Sequence, residues 1–398
     1  MNTLVLLFKF MKSQGVLAEE KSLKVLRLIW SRKYISRVEI ANELGMDKST
    51  ITKIVNELKS VNIIRETTQG TSGPQGGRRP VFLEIAPDFA CSGGIEFNPE
   101  GIVYCLINLQ GQIVFQENEN CLNRPFDKDK IENIIFEACV YLQNKAKELK
   151  LNLIGIGLGF PALLNSKKSE IIYSLPLMIN EPLNISSLSS KLNLPIQIEN
   201  DARCCCYSEI VHGILGRSNF DVKNMLFVLT EYRAFNPILK SQKNLAVGMG
   251  IVLNSQILKG PDDSAGEFRS MLWEEGRAGQ FFSGEGNLSS IISDNDEIHS
   301  IFYELAQHIA FLVNTLNLST VCIGGMESEY ISILENYIKE RIKLQWSYNN
   351  ERHIKVKMAA YGEQTVAHGA ACMILTKMFS FSVLHDNSGE QVSILNLF

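Results

Sequence analysis

The chain has 398 residues, 45% hydrophobic and 21% charged, proportions that exclude a disordered or collagen-like polymer and allow two or three domains with buried cores. Its net charge of −4 hides an asymmetry, because residues 1–85 carry 14 Lys/Arg against 8 Asp/Glu while the remainder carries 25 against 35. Nine cysteines without a CxxC spacing exclude a disulfide framework and a thiolate zinc site, and fit a reducing cytoplasm where Cys is a small apolar filler.

A basic head on an acidic body is the distribution of a small nucleic-acid-binding unit joined to a second function. The opening run TLVLLFKFM at 3–11 is too short to span a bilayer and is interrupted by Lys9, so it reads as an amphipathic segment or as residues ahead of a start at Met11. From Ser22, apolar Leu23, Leu26, Ile29 and Trp30 recur at helical spacing to about Ser31. Ser36 and Glu39 form a capping box for RVEIANELG, which Gly45 ends, and Asp47 is placed to cap KSTITKIVNELKS.

Helix, glycine-containing turn and helix make a helix-turn-helix, whose second helix enters the major groove. In that helix Ile51, Ile54, Val55 and Leu58 fall on one stripe, while Lys48, Ser49, Thr50, Thr52, Lys53 and Asn56 cover the other side. Short hydroxyls and an amide reach base edges and lysines neutralise phosphates; an ordinary solvated face has the same pattern. VNIIRETTQG and RRPVFLEI then read as two strands of a wing around GTSGPQGGRRP. Its glycines alone would make GPQGGRRP a linker, but its place inside a wing, its adjacent guanidiniums and the following Pro80 favour minor-groove contact by Arg78 and Arg79. The Gly-Arg-Pro core resembles an AT-hook, which reads narrow A·T-rich grooves.

SRVEIANELGMDKSTITKIVNELKSVNIIRE followed by GGRRPVFLEI resembles the DNA-binding head of the ROK family, which groups sugar-responsive repressors and sugar kinases; GGRRP is similar to the repressor branch. The resemblance runs from about residue 22 to about 378 and divides the chain into a head at 1–87, a first lobe at 88–200 and a second lobe at 201–398, whose last helix is free to return to the first. Beyond residue 88, runs such as GIVYCLINL, LIGIGLGF, PIQIEN, NMLFVLT and TVCIGG alternate with helical stretches, an α/β pattern. The resemblance adds an actin-like, ribonuclease-H-like two-lobed sugar-kinase fold with ligand held between the lobes.

At the end of PIQIEN, Asn200 and Asp201 present an amide and a carboxylate suited to vicinal hydroxyls, or Asp201 simply caps the next helix. The triplet Glu199-Asn200-Asp201 is similar to the family's sugar-binding motif, and SAGEFRSM to the motif whose Glu, here Glu267, binds sugar hydroxyls. SLPLMINEPL resembles a loop lining the sugar pocket, which implies Asn180 as a contact. Gly248 and Gly250 resemble the family's second phosphate-binding loop, although such pairs also shape hairpins.

The departures imply lost catalysis. The family's kinases open the body with DxGGT, an Asp orienting magnesium and amides holding phosphate. Here Glu96 takes the Asp position, Asn98, Pro99 and Glu100 replace the cradle, Pro99 removes an amide and Glu100 adds repulsion. Ser270 stands where many relatives carry a zinc-binding His, and the following stretch has no Cys, so no metal and no cofactor are expected. Arg269 offers a substitute contact for an anionic ligand, or is a surface arginine. EYRAFNPILKSQKN at 231–244 reads as an insertion.

The resulting expectation is a cytoplasmic, nucleoid-associated repressor. It pairs as a homodimer or dimer of dimers, grips a palindromic operator with A·T-rich flanks, and senses a carbohydrate or derivative. An active sugar kinase with a DNA-binding head, and a body serving only dimerisation, stand as the alternatives.

Overall fold

The computed structural model describes residues 20–32, 34–67, 81–120, 130–217, 220–233, 244–277, 279–283 and 295–379. The head begins with α1 (Glu20–Arg32), β1 (Ile35–Ser36), α2 (Arg37–Leu44) and α3 (Lys48–Ser60). The capping box forms as the sequence predicts: the Ser36 hydroxyl accepts from the Glu39 amide, and the Glu39 carboxylate accepts from the Ser36 amide at 2.8 Å. Gly45 ends α2 in the left-handed region at φ 60°. Asp47 occupies the N-cap of α3, but its side chain makes no capping hydrogen bond.

β2 (Ile64–Thr67) and β3 (Phe82–Ile85) pair antiparallel as the wing, and β1 pairs with the other edge of β3. Sequence reading missed β1, because two residues carry no period. The stretch GPQGGRRP, with Arg78 and Arg79, lies outside the described residues.

The first lobe is built on β4 (Cys91–Asn98), β5 (Gly101–Asn108), β6 (Ile113–Asn120), α4 (Ile131–Glu148), β7 (Leu153–Phe160), α5 (Leu188–Lys191) and β11 (Ile196–Asn200). Its five strands take the order β11-β7-β4-β5-β6, parallel from β11 to β4 and antiparallel beyond. A small antiparallel sheet of β8 (Leu163–Asn165), β9 (Glu170–Tyr173) and β10 (Leu183–Asn184) sits beside it. Every residue of β5 is buried, which is why GIVYCLIN reads as a continuous apolar run rather than an alternating one.

After α6 (Asp201–Ile214), the second lobe follows with β12 (Met225–Arg233), β13 (Asn244–Leu253), β14 (Gln256–Ile257), α7 (Asn295–Thr315), β15 (Thr320–Gly324), α8 (Ser328–Gln345) and β16 (Lys355–Met358). Its sheet runs β14-β13-β12-β15-β16. The β12–β13 register continues to Arg233 opposite Asn244, so the ends of the supposed insertion prolong a hairpin. The chain closes with α9 (Thr365–Phe379), which leaves the second sheet to lie on β4 and β7 of the first and alongside α6. Gly94 permits this packing, since a Cβ there would fall 1.9 Å from the Ala367 carbonyl oxygen.

The head docks on the body through one continuous apolar cluster. Leu26, Ile29 and Trp30 of α1 share it with Ile107 and Leu109 of the first lobe and Leu375 and Phe379 of α9. The Trp30 indole donates to the Leu109 carbonyl at 2.9 Å, and the Gln110 amide donates to the Ile85 carbonyl at 3.0 Å. Both contacts fall on the turn between β5 and β6.

Candidate functional site

The third helix of the head divides its residues as the periodicity requires. Ile51, Ile54, Val55 and Leu58 are buried, while Lys48, Ser49, Thr52, Lys53 and Asn56 are exposed and Thr50 is half-buried. The Thr52 hydroxyl donates back to the Lys48 carbonyl at 2.8 Å, so in this state it is engaged with its own helix. A single solvent face therefore offers two ammonium groups, hydroxyls and an amide, the chemistry that reads a major groove.

Between the two lobes lies a cleft of about 640 Å³, a volume suited to a small molecule. Asn200 and Asp201 stand where β11 passes into α6, and both line the cleft. Asn200 is buried and also serves as the α6 N-cap, its side-chain oxygen accepting from the Arg203 amide at 3.2 Å. Asp201 is the first residue of the helix rather than its cap, and its Oδ1 accepts from the Ala202 amide at 2.7 Å.

Glu267 reaches the same cleft from the second lobe, open to its solvent. Its position depends on Gly266, at φ 98°, where a Cβ would overlap the Met249 carbonyl oxygen at 1.9 Å. Desolvation by the cleft walls raises the Glu267 carboxyl above its ordinary range, opposed by Arg203.

Two expected contacts are not brought to this cleft. Asn180 is exposed and stands apart from the cleft lining, which takes Tyr173 to Pro176 from the same loop. Arg269 is exposed and lies over the Trp273 ring, 4.3 Å from its centroid, so a cation-π stack holds it away from the ligand space. Gly248 and Gly250 lie within β13 of the β12–β13 hairpin, the second of the two readings the sequence allowed, and Gly248 lines the cleft. A Cβ on Gly250 would come 2.3 Å from Cys206 Sγ, so this glycine lets β13 pack on the first turns of α6.

Beneath the motif is a charge network that sequence reading did not resolve. Glu199 Oε1 accepts from Arg203 Nε at 2.7 Å, and Glu199 Oε2 accepts from Lys259. Burial pushes the Glu199 carboxyl up, but Lys259 and Arg203 outweigh it and hold the group below its ordinary range. Lys259 also donates to the Ser166 hydroxyl at 3.1 Å, and Asp263 accepts from the Ser166 amide and hydroxyl at 2.7 and 2.8 Å. Residues of the two lobes are thereby tied together, and Arg203 donates to the Ala265 carbonyl at 3.1 Å, one residue from Gly266.

The turn expected to cradle phosphate is occupied from within. Asn98 Oδ1 accepts from the Glu100 amide at 3.0 Å and the Gly101 amide at 2.9 Å, consuming the donors an anion would need. Glu96 accepts from the Asn98 amide at 3.2 Å through one oxygen, while its other oxygen is buried without a hydrogen-bond partner. Burial pushes the Glu96 carboxyl up to about 8, with Asn98 opposing and Glu231, Asp201 and Glu363 adding to the rise.

The loop after Glu267 is held by hydrogen bonds. Gln280 bridges both backbone groups of Val247 and the Phe268 carbonyl, Glu304 accepts from the Phe282 and Ser283 amides, and His308 accepts from the Met271 amide. Among the described residues no group of three or more His, Cys, Asp or Glu is placed to hold a metal ion, and no helix is long and apolar enough to cross a membrane. The cysteine run Cys204–Cys206 is buried in an apolar cluster between α6 and the second sheet, the packing role its composition predicts.

Comparison with known proteins agrees with both halves. Residues 19–65 match a winged helix-turn-helix DNA-binding family and residues 92–231 match the ROK family. A xylose repressor of Caldicellulosiruptor bescii is 24% identical, the match covering 93% of this chain and 99% of that protein. Among solved structures, a ROK family transcriptional regulator, a homologue of the Escherichia coli MLC protein, superposes with a TM-score of 0.68 at 19% identity, covering 90% of this chain and 96% of that one. A ROK family glucokinase from Streptomyces griseus, in complex with glucose and AMPPNP, has a TM-score of 0.54 at 14% identity over 71% of this chain and 99% of that chain. Residues 92–231 are thus similar to the ROK family, and the chain joins a winged helix-turn-helix head to a two-lobed body of actin-like sugar-kinase fold.

Proposed function

We propose that the protein is a DNA-binding transcriptional repressor whose interlobe cleft senses a carbohydrate or carbohydrate derivative and which performs no phosphoryl transfer. One observation carries this reading: the chain joins a recognition helix with an exposed polar face to a cleft whose phosphate-side amides are already taken by Asn98. The repressor names among its relatives support it.

In this reading Lys48 and Lys53 hold phosphates while Ser49, Thr50, Thr52 and Asn56 meet base edges. Arg78 and Arg79 enter an adjacent A·T-rich minor groove, and two copies of the chain pair on a palindromic operator in the cytoplasm. Asn200, Asp201 and Glu267 grip the sugar hydroxyls. Asn180 and Arg269 keep a role only if ligand closure moves them inward. No cofactor or metal is required for this function.

The test combines a coupled assay with ATP and a sugar panel with thermal shift against the same panel. The reading predicts stabilisation by at least one carbohydrate, on the order of 2.7 kcal/mol at a hundredfold its dissociation constant, without phosphorylation. Turnover at ordinary kinase rates would replace it with the kinase alternative.

A further inference from the structure

Glu267 lies between two backbone anchors to a single strand. On one side the Gly266 carbonyl accepts from the Met249 amide of β13 at 3.1 Å. On the other the Phe268 carbonyl accepts from Nε2 of Gln280 at 2.8 Å. Gln280 then returns to the same strand, two residues before Met249: its Oε1 accepts from the Val247 amide at 2.7 Å, and its Nε2 donates to the Val247 carbonyl at 2.8 Å. β12 covers the opposite edge of β13 here, with Thr230 against Val247, and β14 pairs with β13 further along, at Val252 and Leu253. The Gln280 amide therefore takes the place of a neighbouring strand residue and satisfies both backbone groups of an edge position at once.

That amide is fully engaged. Both hydrogens of Nε2 go to backbone carbonyls, so Gln280 lines the cleft beside Glu267 yet has no donor left for a ligand. Glu304 and His308 of α7 hold the same loop at Phe282, Ser283 and Met271, but neither lines the cleft. The rings of Phe268 and Phe281, one at each end of the Gln280 link, pack with centroids 5.4 Å apart. Gly266, immediately before Glu267, has the most backbone freedom of any residue type, so without the anchor at Phe268 the carboxylate would swing on it.

We propose that Gln280 is a positioning residue for carbohydrate recognition, acting through Glu267 by closing the second of the two anchors that hold its carboxylate at the cleft. The inference rests on the carbohydrate-sensing reading above and on Glu267 as a ligand contact. Two substitutions separate this role from plain packing. Gln280→Met keeps length and bulk but removes all three hydrogen bonds. Gln280→Glu, when ionised, faces the Val247 and Phe268 carbonyls without a donor, and a proton restores one.

The experiment titrates the full chain by calorimetry with xylose, glucose, glucosamine and N-acetylglucosamine, then compares the parent, Gln280→Met, Glu267→Ala and the double variant on the sugar that binds. Gln280→Met is expected to weaken binding by about tenfold, but by less than about twofold when Glu267→Ala is already present, because the glutamine acts through that carboxylate. Losses that multiply in the double variant overturn the inference, as does undiminished binding by Gln280→Met. As pH falls from about 7.5 to about 5, Gln280→Glu is expected to recover most of its deficit relative to the parent while Gln280→Met recovers none. A deficit independent of pH in both variants overturns the hydrogen-bonding role. Affinity for a DNA fragment selected by the parent from a random pool is expected to stay within about twofold in each variant. Its loss alongside sugar binding overturns the assignment in favour of general packing. Silence of the parent across all four sugars overturns the carbohydrate-sensing reading and this inference with it, whereas each of the other contrary results leaves that reading standing.

Discussion

Trp30 of α1 stacks on Phe379 at the end of α9, with ring centroids 4.4 Å apart and planes 12° from parallel. At its opposite end the same helix places Thr365 and Val366 in the cleft lining. One buried helix therefore has one end at the ligand space and the other under the DNA-binding head. In the first turn of α9, His368 hydrogen bonds the Gly111 carbonyl at 3.0 Å and Ser208 at 2.8 Å, joining the helix to the β5–β6 turn that also holds Trp30 through Leu109. A helix packed this closely moves as a unit, so a ligand that shifts its first turn shifts the platform under the head.

This contact yields the first prediction. Trp30→Phe keeps the stack but removes the hydrogen bond to Leu109, at a cost near 1 kcal/mol of stability. Ligand affinity should remain within about twofold while the ligand's effect on operator affinity falls, since a coupling free energy is carried by differential contacts. Calorimetry for the ligand and fluorescence anisotropy for DNA separate the two quantities. A full ligand effect in this variant, and in Phe379→Leu, would place the coupling elsewhere.

The DNA face can be dissected by salt. Lys48→Ala and Lys53→Ala should each weaken binding uniformly across sequences and reduce the slope of log affinity against log salt by about one. Asn56→Ala should instead relax base preference with little change in slope. The double change of Arg78 and Arg79 to alanine should lower the slope by about two and blunt the preference for A·T-rich flanks. A slope unchanged by the arginine pair would return GPQGGRRP to the role of a linker.

Cleft variants should separate sensing from DNA binding. Asn200→Ala removes both a candidate ligand contact and the α6 cap, the latter worth about 1 kcal/mol. Asp201→Asn and Glu267→Gln keep shape and remove charge. All three are expected to bind operator normally and to respond to carbohydrate weakly or not at all. Normal induction in Asp201→Asn and Glu267→Gln together would move the ligand away from these residues.

Two buried groups give stability opposite pH dependences. Glu96 holds its proton up to about 8 when folded and releases it from 4.5 upward when unfolded, so its contribution favours folding at low pH and is lost as pH rises through 8. Asp201, Glu231, Glu363 and Asn98 are the groups that face it. His368 is neutral in the fold because burial lowers it to about 4 against 6.5, so its contribution is present above 6.5 and lost as pH falls through 4. Glu96→Gln should therefore raise the melting temperature above the parent's at pH 8.5, by the equivalent of roughly 4 kcal/mol relative to pH 5, where the two should nearly coincide. Parallel melting curves at both pH values would show that Glu96 ionises as it does in water.

The head was largely legible in the sequence because its signals are local: the capping box, Gly45 and the apolar stripe of α3 each act within a few residues. The body's strands were legible as apolar runs, and Asn200, Asp201 and Glu267 converge on one cleft. What the sequence withheld was long-range. Glu231 read as the start of an insertion, yet pairing opposite Ala246 makes it a cleft wall. Glu363 carried no motif and reaches the cleft only because α9 returns to the first lobe. Arg269 looked available to a ligand until Trp273, four residues on, was seen to hold it.

The most direct test of the account is the affinity of the full chain for a DNA fragment selected by the protein from a random pool, measured with and without its carbohydrate at fixed salt. The account predicts that saturating ligand weakens binding by about 10- to 100-fold, a coupling of roughly 1.4 to 2.8 kcal/mol. Equal affinity in the two conditions, with the ligand shown by calorimetry to be bound, would contradict it.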